Sequence, residues 1–132
     1  MNQDQNSYAA EKKGKTGLTR ITNAFGYSQD GLKAAYRYES AFRQLVWLHA
    51  VLIPLALILD FSTTTAMLLI AVSFVSLITE LFNTAIEAAV DHTSTEKHEL
   101  AKRAKDAGSA AQLLALTLLG ILWLMALFGD AV

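Results

Sequence analysis

The sequence predicts an all-α, polytopic membrane protein in which three transmembrane helices follow an amphipathic surface helix. Three observations carry that expectation. The chain has 132 residues, 53% hydrophobic and 17% charged, a length that suits one domain. All eleven Lys and Arg fall in two blocks, Lys12 to Arg43 and Lys97 to Lys105. Between them, Leu45 to Thr79 carries Asp60 as its one charge, and beyond them Ala107 to Gly129 carries none. A soluble helical domain solvates one face of every helix and so scatters its charges. Here the basic residues are withdrawn from three long apolar stretches.

Composition removes several function classes. With no Cys, there is no disulfide framework, no thiolate catalysis and no Cys-based zinc or iron–sulfur site. A net charge of −1 argues against a nucleic-acid partner held by bulk charge. The high apolar and low charged content excludes a disordered chain.

In chain order, residues 1–17 form a polar tail and residues 18–132 the membrane domain. No apolar run precedes the first span, so no cleavable signal peptide is expected. Over 28–43, Leu32, Ala35, Tyr36 and Phe42 share one helical arc while Lys33, Arg37 and Ser40 share another, the pattern of a helix lying in the membrane interface. Ser28 or Asp30 is placed to cap it. Glu39 is out of place there, because it falls on the apolar arc. The first span, 45–61, covers roughly 26 Å at 1.5 Å per residue, just short of the ~30 Å hydrocarbon core. The second, about 66–90, spans with tilt. The third, about 110–128, is apolar on nearly every side. The basic blocks must share a side of the membrane, and the positive-inside rule puts the amino terminus and the 91–106 loop in the cytoplasm, with the Asp60–Thr65 turn and the carboxyl terminus outside.

The second span carries the chemistry. At about 100° per residue, Ser73, Ser76, Asn83, Glu87 and Asp91 all lie within about 60° of Glu80. A membrane-buried acid costs about 2.5–3.5 kcal/mol on insertion scales, so this stripe needs a compensating partner. Three readings are open on the residues alone: interhelical hydrogen bonding, proton or cation conduction through a small membrane oligomer, and a metal-dependent active site at the membrane surface. For the last, Glu39, Glu87 and Glu80 offer hard oxygen ligands suited to Mg²⁺. His49 has no obvious partner and reads as a packed or interfacial histidine.

In the 91–106 loop, Thr93, Ser94 or Thr95 is placed to cap a helix whose first turns hold Glu96 to Glu99. Lys102, Arg103, Lys105 and Asp106 follow, either as the positive-inside anchor of the third span or as phosphate-binding cations beside the acidic stripe. Gly108, Ser109, Ala110 and Ala111 are small enough to admit another helix closely. Gly14-Lys15-Thr16 is not a P-loop, because Ala9 stands where its first Gly would be and no apolar strand precedes it.

Several runs resemble a known family. Glu80-Leu-Phe-Asn-Thr-Ala-Ile-Glu-Ala-Ala-Val-Asp91 and Arg103-Ala-Lys-Asp-Ala-Gly-Ser-Ala-Ala111 look like the signature of the prokaryotic diacylglycerol kinases. Gly17-Leu-Thr-Arg20, Gly26-Tyr-Ser28 and Glu39-Ser-Ala-Phe-Arg-Gln44 agree with it. Leu45 departs from it, where a polar residue or Gly is expected. The resemblance covers about residues 17–129. It implies a small homotrimeric kinase of the bacterial inner membrane, with membrane lipids around it, that passes the γ-phosphoryl of MgATP to diacylglycerol. Its active sites would be shared between subunits at the cytoplasmic surface. On that resemblance Glu80 is the general base, Asn83 lies between base and metal, and Glu39 and Glu87 bind Mg²⁺. Lys105 and Asp106 contact the nucleotide, and Arg20, Tyr27, Glu96 and His98 match ATP-side positions. A sister branch with much of the same signature phosphorylates undecaprenol instead.

Overall fold

The computed structural model describes residues 17–93 and 98–129. They form four helices: α1 (Leu18–Tyr38), α2 (Ser40–Ile58), α3 (Thr63–Thr93) and α4 (Glu99–Phe128). Among the described residues there is no strand. The helices α2, α3 and α4 have 19, 31 and 30 residues and are each long and apolar enough to cross a membrane. The first is about as long as the hydrocarbon core is thick, and the other two, at roughly 45 Å, exceed it. Large apolar side chains such as Trp47, Leu57, Phe74, Phe82, Leu113 and Leu124 face outward, as lipid-facing residues do. The described residues 17–34 and those from Ala35 to Gly129 belong to two compact units.

The surface helix is longer at its start and shorter at its end than the 28–43 pattern predicts. It begins after Gly17, whose φ of 73° suits a residue without a side chain. Ser28 is no cap: it lies inside α1, and its hydroxyl donates back to the Ala24 carbonyl at 2.9 Å. The break falls at Glu39, which is extended at φ −108°, ψ 111°. Phe42 and Arg43 therefore belong to the first spanning helix. Arg43 closes the break, its Nη1 donating to the Tyr36 and Arg37 carbonyls at 2.9 and 2.8 Å. Those carbonyls belong to the last turn of α1 and have no partner within the helix.

The other boundaries also have local causes. Ser62 caps α3, accepting from the Thr65 N–H at 3.2 Å. At the far end Thr93 is the last residue of α3, and its hydroxyl turns back to the Ala89 and Val90 carbonyls, so it does not cap the next helix. Ser94, Thr95 and Glu96 lie outside the described residues. α4 starts at Glu99 with His98 as its cap, Nδ1 accepting from the Leu100 N–H at 3.3 Å.

α3 packs on both α2 and α4. Its buried face is Leu69, Val72, Ser73, Ser76, Glu80 and Asn83, so the polar stripe is turned inward. On α4 the buried residues are Gly108, Gln112, Ala115 and Leu119. Of the four small residues 108–111, Gly108 alone is buried. A Cβ there would collide with Asn83 Oδ1 and lie 3.3 Å from its Cγ. The antiparallel register continues to the opposite end, where Thr65, Leu68 and Leu69 share a hollow with Leu122, Met125 and Ala126.

His49 proves to have a partner. It is 1% exposed, and its Nε2 is hydrogen-bonded to the Ser76 hydroxyl. That hydroxyl donates to the Ser73 carbonyl at 3.0 Å, so its one proton is used and His49 must donate through Nε2. The bond ties α2 to α3. Ser76→Ala leaves a buried N–H unpaired and should cost about 1–3 kcal/mol. The joint change His49→Leu with Ser76→Ala leaves no orphan donor and should recover most of that loss. Unfolding of each variant in mixed micelles, followed by helical circular dichroism, measures both; equal losses would contradict the pairing.

Candidate active site

Three carboxylates converge because of two local features. The first is the break at Glu39, which sets that side chain at the α1–α2 joint, half-buried. The second is the spacing 80, 83, 87 on α3, which keeps Glu80, Asn83 and Glu87 on one face. Glu80 is 5% exposed, and both Glu87 and Glu39 act electrostatically on it. Asn83, 9% exposed, donates from Nδ2 to Glu87 Oε1 at 3.4 Å. Gly108 backs Asn83 and lets α4 come close.

One cation, Lys105, borders this group at the start of α4, and Lys102 precedes it on the same helix. Lys105 Nζ lies 3.0 Å from Asp91 Oδ1 and also feels the charge of Glu87. Lys102 Nζ lies 2.6 Å from Asp106 Oδ2. Both lysines precede the uncharged stretch that begins at Ala107. Both ammonium groups are held above the ordinary lysine range, first by the hydrogen bond to Asp91 or Asp106 and then by that carboxylate's charge. They stay cationic at any physiological pH. These pairs are exposed, so they contribute little stability and can exchange their carboxylates for other anions.

The remaining sequence candidates are placed as follows. His98 is exposed and caps α4. Arg20 and Tyr27 lie on α1 and are exposed in the unit that ends at Ala34. Glu96 lies outside the described residues. Sequence reasoning passed over the Asp91–Lys105 pair and Gln112. Gln112 did carry a signal, since it is the one amide between Ala107 and Gly129.

The donor set decides what ion would fit. Among the described residues, no group of three or more His, Cys, Asp or Glu is arranged to hold a metal by protein ligands alone. Glu39 and Glu87, which both act electrostatically on Glu80, supply two hard carboxylates beside it. Two carboxylates would fit Mg²⁺, which is typically bound through one or two carboxylates plus substrate phosphates.

The family model for prokaryotic diacylglycerol kinase matches residues 26–127. The chain belongs to the prokaryotic diacylglycerol kinase family. It is 56% identical over 117 residues to the diacylglycerol kinase of Pseudomonas aeruginosa, covering 89% of this chain and 95% of that protein. It is 45% identical over 113 residues to that of Escherichia coli K12, covering 86% and 93%. With that of Haemophilus influenzae it shares 44% over 108 residues, covering 82% and 92%. The chain is thus an enzyme of a lipid-kinase family with three helices fit to cross a membrane. The range matched by the family model takes in Tyr27, Glu39, Glu80, Asn83, Glu87, Glu96, His98, Lys105 and Asp106, and leaves Arg20 outside.

Gly108→Ala tests the packing behind the carboxylates. The added methyl would collide with Asn83, and overpacking of this kind costs about 1–3 kcal/mol. The variant should melt lower in micelles and lose activity, while Ser109→Ala, at an exposed position, should melt as the parent does. Equal melting of the two variants would contradict the close approach.

Proposed function

We propose that the chain phosphorylates diacylglycerol to phosphatidic acid with MgATP, at the cytoplasmic face of the bacterial inner membrane. The observation that carries this reading is a buried carboxylate on a membrane-spanning helix, gathered with two others and flanked by lysines, in a chain of this family. The relatives' names favour diacylglycerol over undecaprenol as the acceptor.

Depth supports the assignment of Glu80 as base. α3 exceeds a ~30 Å core by about 16 Å. With Thr63 at the far boundary, the Thr93 end projects into the cytoplasm, and Glu80 falls less than one turn inside the core. A lipid hydroxyl lies at that level. The hydroxyl oxygen attacks the γ-phosphorus, its proton passes to the Glu80 carboxylate, and the bond to the ADP oxygen breaks. Burial keeps bulk water from Glu80, which limits hydrolysis of ATP in place of transfer. Glu39 and Glu87 would hold Mg²⁺, which when bound neutralises charge on the phosphate oxygens. Lys105, released from Asp91, screens the leaving charge, and Asp106 contacts the nucleotide. Arg20, Tyr27, Glu96 and His98 serve the ATP side. The outward apolar faces of α2, α3 and α4 are available to lipid and to further copies of the chain. A homotrimer with shared sites is the assembly this reading adopts.

The acceptor is tested by offering diacylglycerol and undecaprenol together in micelles with radiolabelled ATP. Label should enter phosphatidic acid; label in the polyprenyl phosphate, or in neither lipid, would overturn the proposal. The roles separate by variant. Glu80→Gln should lower turnover by about 10²–10⁴-fold with the KM for MgATP unchanged. Glu39→Gln and Glu87→Gln should raise the Mg²⁺ requirement, and excess Mg²⁺ should partly restore them but not Glu80→Gln. The same response from all three variants would favour a structural role for the stripe.

A further inference from the structure

Gln112 lies on the buried face of α4 and is 8% exposed. Both atoms of its amide head, Nε2 and Oε1, are buried without a hydrogen-bond partner. So is Asn83 Oδ1 on the facing helix. Buried polar atoms in folded proteins are almost always satisfied, by protein or by water, so two complementary orphans on one interface are informative.

The geometry brings them to the same place. Gly108 is the α4 residue that lies against Asn83, and Asn83 Oδ1 occupies the space a Cβ would take there. Gln112 is one helical turn after Gly108 on the same face. Side chains on a helix lean toward its amino terminus and cover the preceding turn. The Gln112 amide therefore covers the turn of Gly108, where Asn83 Oδ1 sits, and Gly108 has no side chain to separate them. A rotamer adjustment or one bridging water joins donor to acceptor.

We infer that Gln112 is a positioning residue that orients the Asn83 amide and, through it, the Glu87 carboxylate. Gln112 Nε2 donates to Asn83 Oδ1, and Asn83 Nδ2 donates to Glu87 Oε1, the second bond being 3.4 Å long. The order matters chemically. An Asn83 amide turned the other way would aim its carbonyl lone pairs at a carboxylate. The Glu87 carboxylate, which only accepts, selects the sense of the amide, and Gln112 holds it in that sense from a helix that carries none of the three carboxylates. The kinetic consequence rests on the proposed placement of Glu87 on the metal side; the orientation of Asn83 does not.

Gln112→Met tests this, because methionine keeps the length and volume and removes the hydrogen bonds. The first readout is independent of catalysis. In detergent-solubilised protein labelled with ¹⁵N-asparagine, the Asn83 side-chain amide should exchange with deuterium faster in the variant. The second is the half-saturating Mg²⁺ at fixed ATP, which should rise about tenfold, the lower end for loss of an outer-shell partner. Turnover at saturating Mg²⁺ should change far less. On an Asn83→Ala background the Met substitution should have no further effect on the Mg²⁺ requirement. Unchanged amide exchange, or effects that simply add to those of Asn83→Ala, would overturn the inference. Gln112→Leu, apolar and at home in a span, gives the same contrast if the Met variant does not fold. If Glu87→Gln leaves the Mg²⁺ requirement unaltered, the metal assignment fails, and the exchange experiment still decides the role of Gln112.

Discussion

A carboxylate in a membrane-spanning helix costs several kcal/mol unless its surroundings are built for it, and Glu80 imposes that constraint on everything around it. The answer here is geometric. α3 turns Ser73, Ser76, Glu80 and Asn83 inward, where α2 and α4 cover them. His49 spends a buried hydrogen bond on Ser76, which fixes α2 over the stripe. Gly108 gives up its side chain so that α4 can close over Asn83. A looser fit on either side would leave polar atoms facing hydrocarbon.

The same packing gathers the charged groups at one end. α2 begins at the Glu39 break, and because it runs antiparallel to α3, that break comes level with the Glu80–Glu87 segment. Arg43 closes the break by satisfying the last carbonyls of α1. α4 starts where α3 ends, so its first turns bring Lys105 to Asp91. A carboxylate in a dry wall, two further carboxylates around it and an exposed lysine beside them thus follow from three helices meeting at one boundary. A phosphoryl-transferring enzyme works mainly by positioning and charge neutralisation, and the proposed function draws both from this arrangement.

Much of this was legible in the chain. The gaps in charge gave the spans, and a 3.6-residue period from Ser73 to Asp91 gave the stripe, because both signals are long and one-dimensional. Glu39 was marked by sitting on the wrong arc. What was not legible depended on partners distant in sequence. Nothing local told that His49 would find Ser76, or that Lys105 would find Asp91. The helix limits failed for a related reason. Leu18 to Tyr27 is polar enough to read as loop, yet contains no breaker beyond Gly26, so the helix runs through it. The stop at Glu39 was invisible because no Pro or Gly stands there; the capping guanidinium of Arg43 arrives from the next helix. His98 is a poor cap by residue type, and the Thr and Ser before it were the stronger signal.

The inward rotation of the α3 stripe is the claim on which the rest depends. The chain has no Cys, so single cysteines introduced from Ser73 to Asn83 can be spin-labelled without background. The oxygen accessibility of each label, measured by electron paramagnetic resonance in bilayers, reports which face meets lipid. The account expects high accessibility at Phe74, Ile78 and Phe82 and low accessibility at Ser73, Ser76, Glu80 and Asn83, with a helical period. High accessibility along the polar positions would place Glu80 against lipid, and the enclosed site described above would not exist.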